Sequence, residues 1–199
     1  MEVKVLKEAG YEEALYGLSL SFKQEGISVD NWWTKNRFES IAERVKTQHN
    51  MDGGHNKFLE SIQMWVEVKA PRGWWAEADT YRAGVTKQSA STMHTIQKRP
   101  LVMEDFEEGT DQRQIDVLNE ILAEETDNFT KVGRLLGSSL QRVKWNIPEG
   151  FLQTRVICLN YKALRNMIIQ RRSHKLAQWQ QFITEVRNQC EHPELLPNE

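Results

Sequence analysis

The segment Thr154 to Trp179, TRVICLNYKALRNMIIQRRSHKLAQW, constrains the fold more than any other part of the chain. Arg155 to Leu159 is short, β-branched and apolar, the composition of a buried strand, and it passes without a turn signal into Asn160 to Arg172, which has the composition of a basic helix. A second helical stretch follows, so sheet and helices must meet here. At about 100° per residue, Asn160, Leu164, Met167 and Arg171 share one helix face while Lys162 and Asn166 share another. Asn160 and Arg171 therefore meet one ligand only if it lies along the helix. Two readings stand for Arg165, Arg171 and Arg172: an anion-binding shelf, or the solvated edge of an ordinary helix.

Charge placement sharpens the question. The chain has 199 residues, 39% of them hydrophobic, enough for one substantial core, and it reads as a single domain over residues 1–199. A formal charge of −2 argues against general nucleic-acid binding. Between Glu104 and Asp127, however, ten acidic residues accompany one basic residue, Arg113, whereas between Arg155 and Arg187 seven basic residues accompany one acidic residue, Glu185. Such asymmetry fits a local site for an anionic ligand, a contact between oppositely charged subunits, or two solvated faces. No apolar run approaches the roughly 20 residues that span a bilayer. The start MEVKVLKEAG lacks the apolar centre of a signal peptide, and Cys158 and Cys190 have no paired-thiol spacing. A reducing cytoplasm is the expectation, with Cys158 filling its strand.

Along the rest of the chain the patterning predicts a strand over Val3 to Leu6 and a helix over Tyr11 to Phe22, with Glu12 and Glu13 at its favourable end. A loop with Gly26 and Asp30 leads to Trp32, Trp33 and a helix from Asn36 to Thr47; His49 to His55 reads as a turn. His49 and His55 lack a third ligand at familiar spacing, so no metal site is expected. Ser61 to Ala70 alternates as a strand does, and Pro71 ends it while suiting the first turn of a short helix, Arg72 to Arg82. Ala83 to His94 is small and hydroxyl-rich, and its loop amides and hydroxyls suit phosphate oxygens or an ordinary polar turn. Ile115, Leu118, Leu122, Phe129, Val132, Leu136, Leu140 and Val143 form a helical stripe, which Pro148 should terminate.

Taken together, these segments resemble the flavin-dependent thymidylate synthases. Asn160, Lys162, Leu164, Asn166 and Arg171 fall in register with the family's N-x-R-x-L-x-N-F-L-x-x-R segment, and Ala177-Gln178 stands for its later A-Q-x-E. Pro71 to Arg82 follows the layout leading into the RHRxxSxNExSxRY signature, and the likeness places His55 near an early GH segment. Pro148 precedes Asn160 by the family's interval. The departures are specific: RHR corresponds to Thr80-Tyr81-Arg82, a glutamine to Glu77, a phosphate-binding arginine to Lys144 and, allowing one inserted residue, the final arginine-tyrosine to Met93-His94, while the later serine is kept at Ser91. Lys144 keeps the charge but loses the bidentate fork.

The resemblance implies an α+β fold of short strands packed with long helices, and a homotetramer in the cytoplasm. It further implies FAD and a pyrimidine nucleotide, dUMP in the family, with folate as the source of a transferred methyl group. Arg82, Asn160 and Asn166 would contact the flavin; Glu77, Ser91, Lys144 and Arg171 would contact the nucleotide. Arg171 would also act catalytically, stabilising negative charge that develops on the pyrimidine ring. Divergence on this scale is of the kind met in bacteriophage or prophage proteins. Losing two signature arginines removes two charge-assisted contacts, so the implied alternative is a non-catalytic homologue serving as a nucleotide-binding or protein-interaction module.

Overall fold

The computed structural model describes residues 1–20, 40–45, 53–96, 98–127 and 139–197. Four strands, β1 (Glu2–Ala9), β2 (Gln63–Pro71), β3 (Val85–Ser89) and β4 (Leu152–Asn160), form one sheet in the order β1-β2-β4-β3. The helices include α1 (Tyr11–Ser19), α2 (Arg72–Ala78), α3 (Thr92–Thr95), α4 (Gln112–Asp127), α5 (Ser139–Asn146), α6 (Tyr161–Arg171) and α7 (Ala177–Gln189), and residues 40–45, inside the helix expected from Asn36 to Thr47, are helical as well. A 3-10 segment spans Gly53–Glu60. The expected mixture of sheet and helix is what forms. The segments around Trp32, Trp33, His49, Phe129, Val132 and Leu136 lie outside the described residues.

Local chemistry accounts for most boundaries. Pro71 closes β2 and caps α2 in extended conformation, φ −67° and ψ 152°, so its missing amide costs no helical bond. The helix ends at Ala78, short of Arg82, and just beyond it Asp79 holds Arg155, whose Nη1 donates to both carboxylate oxygens at 3.1 and 3.0 Å. Pro148 lies just beyond the end of α5 at Asn146.

The hydroxyl-rich stretch after Ala83 differs from its expected loop. Val85 and Thr86 are β-branched and sit beside β4, whose backbone gives them strand partners. The Asn160 amide donates to the Gly84 carbonyl at 3.2 Å and the Ala90 amide to the Thr154 carbonyl at 3.0 Å. As one strand advances the other retreats, so β3 runs antiparallel to β4 and spends backbone groups that a phosphate loop would leave open.

The chain divides into two compact units. The first comprises residues 1–2, 68–79 and 88–155. Its core gathers Ile96, Leu101, Phe106, Ile115, Leu118, Ile121, Val143 and Phe151. The stripe expected from Ile115 to Val143 faces this core wherever its side chains are described. Asn119 pins the incoming chain by accepting from the Leu101 amide at 2.7 Å and donating to its carbonyl at 2.8 Å. Trp74 and Trp75 are buried edge to face, with centroids 4.8 Å apart.

The second unit comprises residues 3–67, 80–87 and 156–199. Here α6 buries Tyr161, Leu164, Met167 and Ile168, while α7 buries Trp179, Phe182, Ile183 and Val186. The 3-10 segment packs on α1 and α6. This arrangement turns the opposite side of α6 outward.

Candidate functional site

The exposed side of α6 is built by one substitution of direction. β4 ends at Asn160, whose φ of −93° and ψ of 162° are still extended, and its Oδ1 accepts from the Ala163 amide at 2.8 Å, capping the helix that follows. Gly84, at φ +68°, lies so close that an added Cβ would sit 2.5 Å from Asn160 Nδ2. Glycine is therefore required there both for its backbone conformation and for space.

Beyond the cap lies a cavity of about 540 Å³, lined among others by Asn56, Glu60, Ala83, Gly84, Asn160, Lys162, Ala163, Arg165 and Asn166. A second hollow of about 320 Å³ is lined by Thr80, Tyr81, Arg82, Ala83, Ala163, Asn166 and Gln170. The two share Ala83, Ala163 and Asn166, so they adjoin along the helix, and together they are called the trough below. Ala163, Asn166 and Gln170 recur at three- and four-residue spacing along its floor, and ten residues of helical rise give it about 15 Å of length.

Its electrostatics are milder than the count of basic residues implies. Lys162 Nζ donates to Glu60 Oε1 at 2.6 Å, which holds that carboxyl below the usual glutamate range. Arg155 is spent in the first unit on Asp79 and Gln153, with its guanidinium 4.4 Å from the Trp75 ring. Arg187 donates to the Pro197 carbonyl. At the start of α6 the Tyr161 amide donates to the Ile62 carbonyl at 3.0 Å, and Asn160 takes the Ala163 amide. The trough is thus lined by carboxamides more than by open charge.

Arg171 closes the C-terminal end of α6, where a cation is favoured by the helix dipole. Its Nε donates to the Tyr81 hydroxyl at 2.9 Å, and that hydroxyl donates to Gln170 Oε1 at 2.9 Å. Gln170 Nε2 in turn donates to Asn166 Oδ1 at 3.1 Å. The guanidinium carbon lies 5.5 Å from the Tyr81 ring centroid and 5.0 Å from that of Trp179, within cation–π range of both. Gln180 Nε2 is shared among the carbonyls of Arg171, Arg172 and His174 at 3.1 to 3.3 Å, fixing the end of the helix.

The expected site residues distribute as follows. Arg82 and Asn166 line the hollow beside Tyr81, Asn160 and Asn166 line the larger cavity, and Arg171 reaches the same hollow through Tyr81. Glu77, Ser91 and Lys144 belong to the first unit, Glu77 half-buried, Ser91 and Lys144 exposed. His55 is exposed, and among the described residues no three His, Cys, Asp or Glu side chains gather for a metal. Sequence reasoning did not single out Asn56, Glu60, Gly84, Gln170 or Gln180. Gly84 alone carried a signal, as a glycine before a β-branched pair.

The chain as a whole is similar to solved structures. The flavin-dependent thymidylate synthase of Helicobacter pylori complexed with FAD and dUMP superposes with a TM-score of 0.72 at 18% identity, covering 98% of both chains. A second crystal structure of the Helicobacter pylori enzyme with FAD and dUMP gives a TM-score of 0.70 at 17% identity over 96% of this chain and 93% of that one. The fold is that of flavin-dependent thymidylate synthases. No family model matches the sequence, and no curated protein matches it either. Identity this low carries the fold without the activity. Among the described residues no helix is long and apolar enough to cross a membrane.

Proposed function

We propose that this chain binds a flavin of the FAD type in the trough along α6 and a pyrimidine nucleotide of the dUMP type at Arg171. The observation that carries the reading is the trough itself, which aligns Asn160, Asn166 and Arg82 along one side of α6 and leads to the Tyr81–Arg171 pair. The residues present fit a flat ligand. Gly84 lets the Asn160 carboxamide pack against its backbone where any Cβ would collide, and carboxamides offer both donors and acceptors to a ring edge. Arg82, Asn160 and Asn166 hold the flavin, and Arg171 orients the pyrimidine and stabilises negative charge on it. Glu77, Ser91 and Lys144 enter the nucleotide site by the family resemblance alone, as do folate and a tetrameric assembly. A bound flavin would supply the reducing equivalents for methyl transfer from folate to the pyrimidine.

A second reading, binding without chemistry, is favoured by the state of the cations. Lys162 is tied to Glu60, Arg171 lies against the rings of Tyr81 and Trp179, and Thr80 carries no charge where the family resemblance expects an arginine. Incubation with FAD, desalting and a visible absorbance spectrum test the first requirement of both readings. Retained flavin bands that shift on adding dUMP support joint binding; a colourless protein that takes up no flavin refutes it. Conversion of dUMP in the presence of methylene-folate and a reductant then separates the enzyme from the binding module.

A further inference from the structure

We infer that Asn56 is a specificity-determining contact of the trough, its Oδ1 accepting an N–H from the edge of a nitrogen heterocycle. This inference rests on the flavin reading but goes beyond it, since neither motif nor spacing assigns Asn56 a role. Asn56 is only 6% exposed and is the single buried polar or charged residue among those described. Among the described residues its Oδ1 has no hydrogen-bond partner, and the side chain lines the 540 Å³ cavity. A buried acceptor without a donor gives up hydration and gains nothing in return, so an apolar residue of similar size would serve the fold better.

The atom itself states what it needs. A carboxamide oxygen is an acceptor only, and the Asn56 oxygen lies in a cavity whose charged lining residues are Arg165 and the mutually paired Lys162 and Glu60. Its partner must present an N–H or O–H, which the fully ionised diphosphate of a dinucleotide does not. The cavity walls at Ala83 and Ala163 bear only methyl side chains, which admits a flat ring edge-on. An imide N–H of a flavin and the exocyclic amine of its adenine half share this donor chemistry.

Asn56→Leu removes the acceptor while keeping the volume. The wild-type protein and Asn56→Leu are titrated with FAD, FMN and AMP, and the thermal midpoint of each apo protein is recorded. The expected result is a tenfold or greater loss of FAD affinity in Asn56→Leu together with an apo midpoint equal to or above wild type. A parallel loss for FMN assigns the donor to the flavin imide; a parallel loss for AMP assigns it to the adenine amine. Unchanged FAD affinity in Asn56→Leu overturns the inference while leaving the flavin reading intact, and a lowered apo midpoint overturns it by making Asn56 structural. If the wild-type protein binds none of the three, the flavin reading fails first and the inference falls with it.

Discussion

Arg171 and Tyr81 are joined twice: Nε donates to the hydroxyl at 2.9 Å, and the guanidinium lies 5.5 Å from the ring centroid. Tyr81 stands where the resemblance expects a histidine, so the altered signature has acquired a new task in holding the arginine. Tyr81→Phe keeps the ring and removes the hydroxyl. Losing that one hydrogen bond, worth about 1 kcal/mol, should weaken dUMP binding about fivefold with little change in thermal midpoint. Arg171→Ala should weaken it more while the protein stays folded. Calorimetric titration checks both; dUMP affinity equal to wild type in Arg171→Ala removes Arg171 from the site.

Trp179 also lies against the same arginine, but its main work is in the core, where it is fully buried against Phe182 with centroids 6.0 Å apart. Trp179→Ala should cost about 3 to 5 kcal/mol by removing the ring and leaving a cavity. Urea unfolding measures it. A loss below about 1 kcal/mol would mean that the α6–α7 packing described here is wrong.

Asn160 has two roles that substitution can separate. Asn160→Ala deletes the cap on Ala163 and should destabilise by about 1 kcal/mol, whereas Asn160→Asp preserves an acceptor for that amide and should be near neutral. Both should lower FAD affinity if Nδ2 serves the ligand. Gly84→Ala should cost at least about 1 to 2 kcal/mol from its left-handed backbone, with the clash on Asn160 added. Denaturation curves and flavin titrations on the same three variants distinguish the effects.

Burial raises the Glu8 carboxyl above its ordinary 4.5, and bonds from the Tyr161 hydroxyl and the Glu191 amide pull it back. Because the folded protein holds this proton more tightly than the unfolded chain does, Glu8's contribution to stability is fully present below the ordinary value and is lost as pH rises through the folded one. Tyr161→Phe removes a bond that favours the charged form, so it should raise the Glu8 pKa further and extend that window upward. A carboxyl-carbon NMR titration reads the shift; a Glu8 pKa that drops in Tyr161→Phe contradicts the assignment.

The same burial pushes the Cys190 thiol up to about 11, so little thiolate forms at ordinary pH. Cys190 should resist iodoacetamide in the native protein and react on unfolding. Mass spectrometry of timed alkylation checks this, and rapid native labelling of Cys190 would contradict its buried position.

Much of the fold was legible because its signals are local. The β-branched run before Asn160, the alternation over Ser61 to Ala70, and Pro71 and Pro148 all act through neighbours in sequence, and each produced its element within a few residues. The stretch from Val85 to Ser89 was misread as a loop because its strand state depends on β4, some 70 residues away, supplying the ladder. Basic charge was overestimated for a similar reason. Asp79 and Glu60, which neutralise Arg155 and Lys162, are distant in sequence, so the pairing shows only in three dimensions. Asn56 was invisible, since neither its type nor its neighbours announce that its oxygen will be buried alone.

The central claim is that a flavin lies along the outer side of α6. Hydrogen–deuterium exchange measured with and without FAD tests it by location. The account predicts slowed exchange over residues 53–60, 80–84 and 160–171 on adding FAD, with dUMP extending protection around Tyr81 and Arg171. No change in these segments under saturating FAD, or protection confined to other parts of the chain, would contradict it.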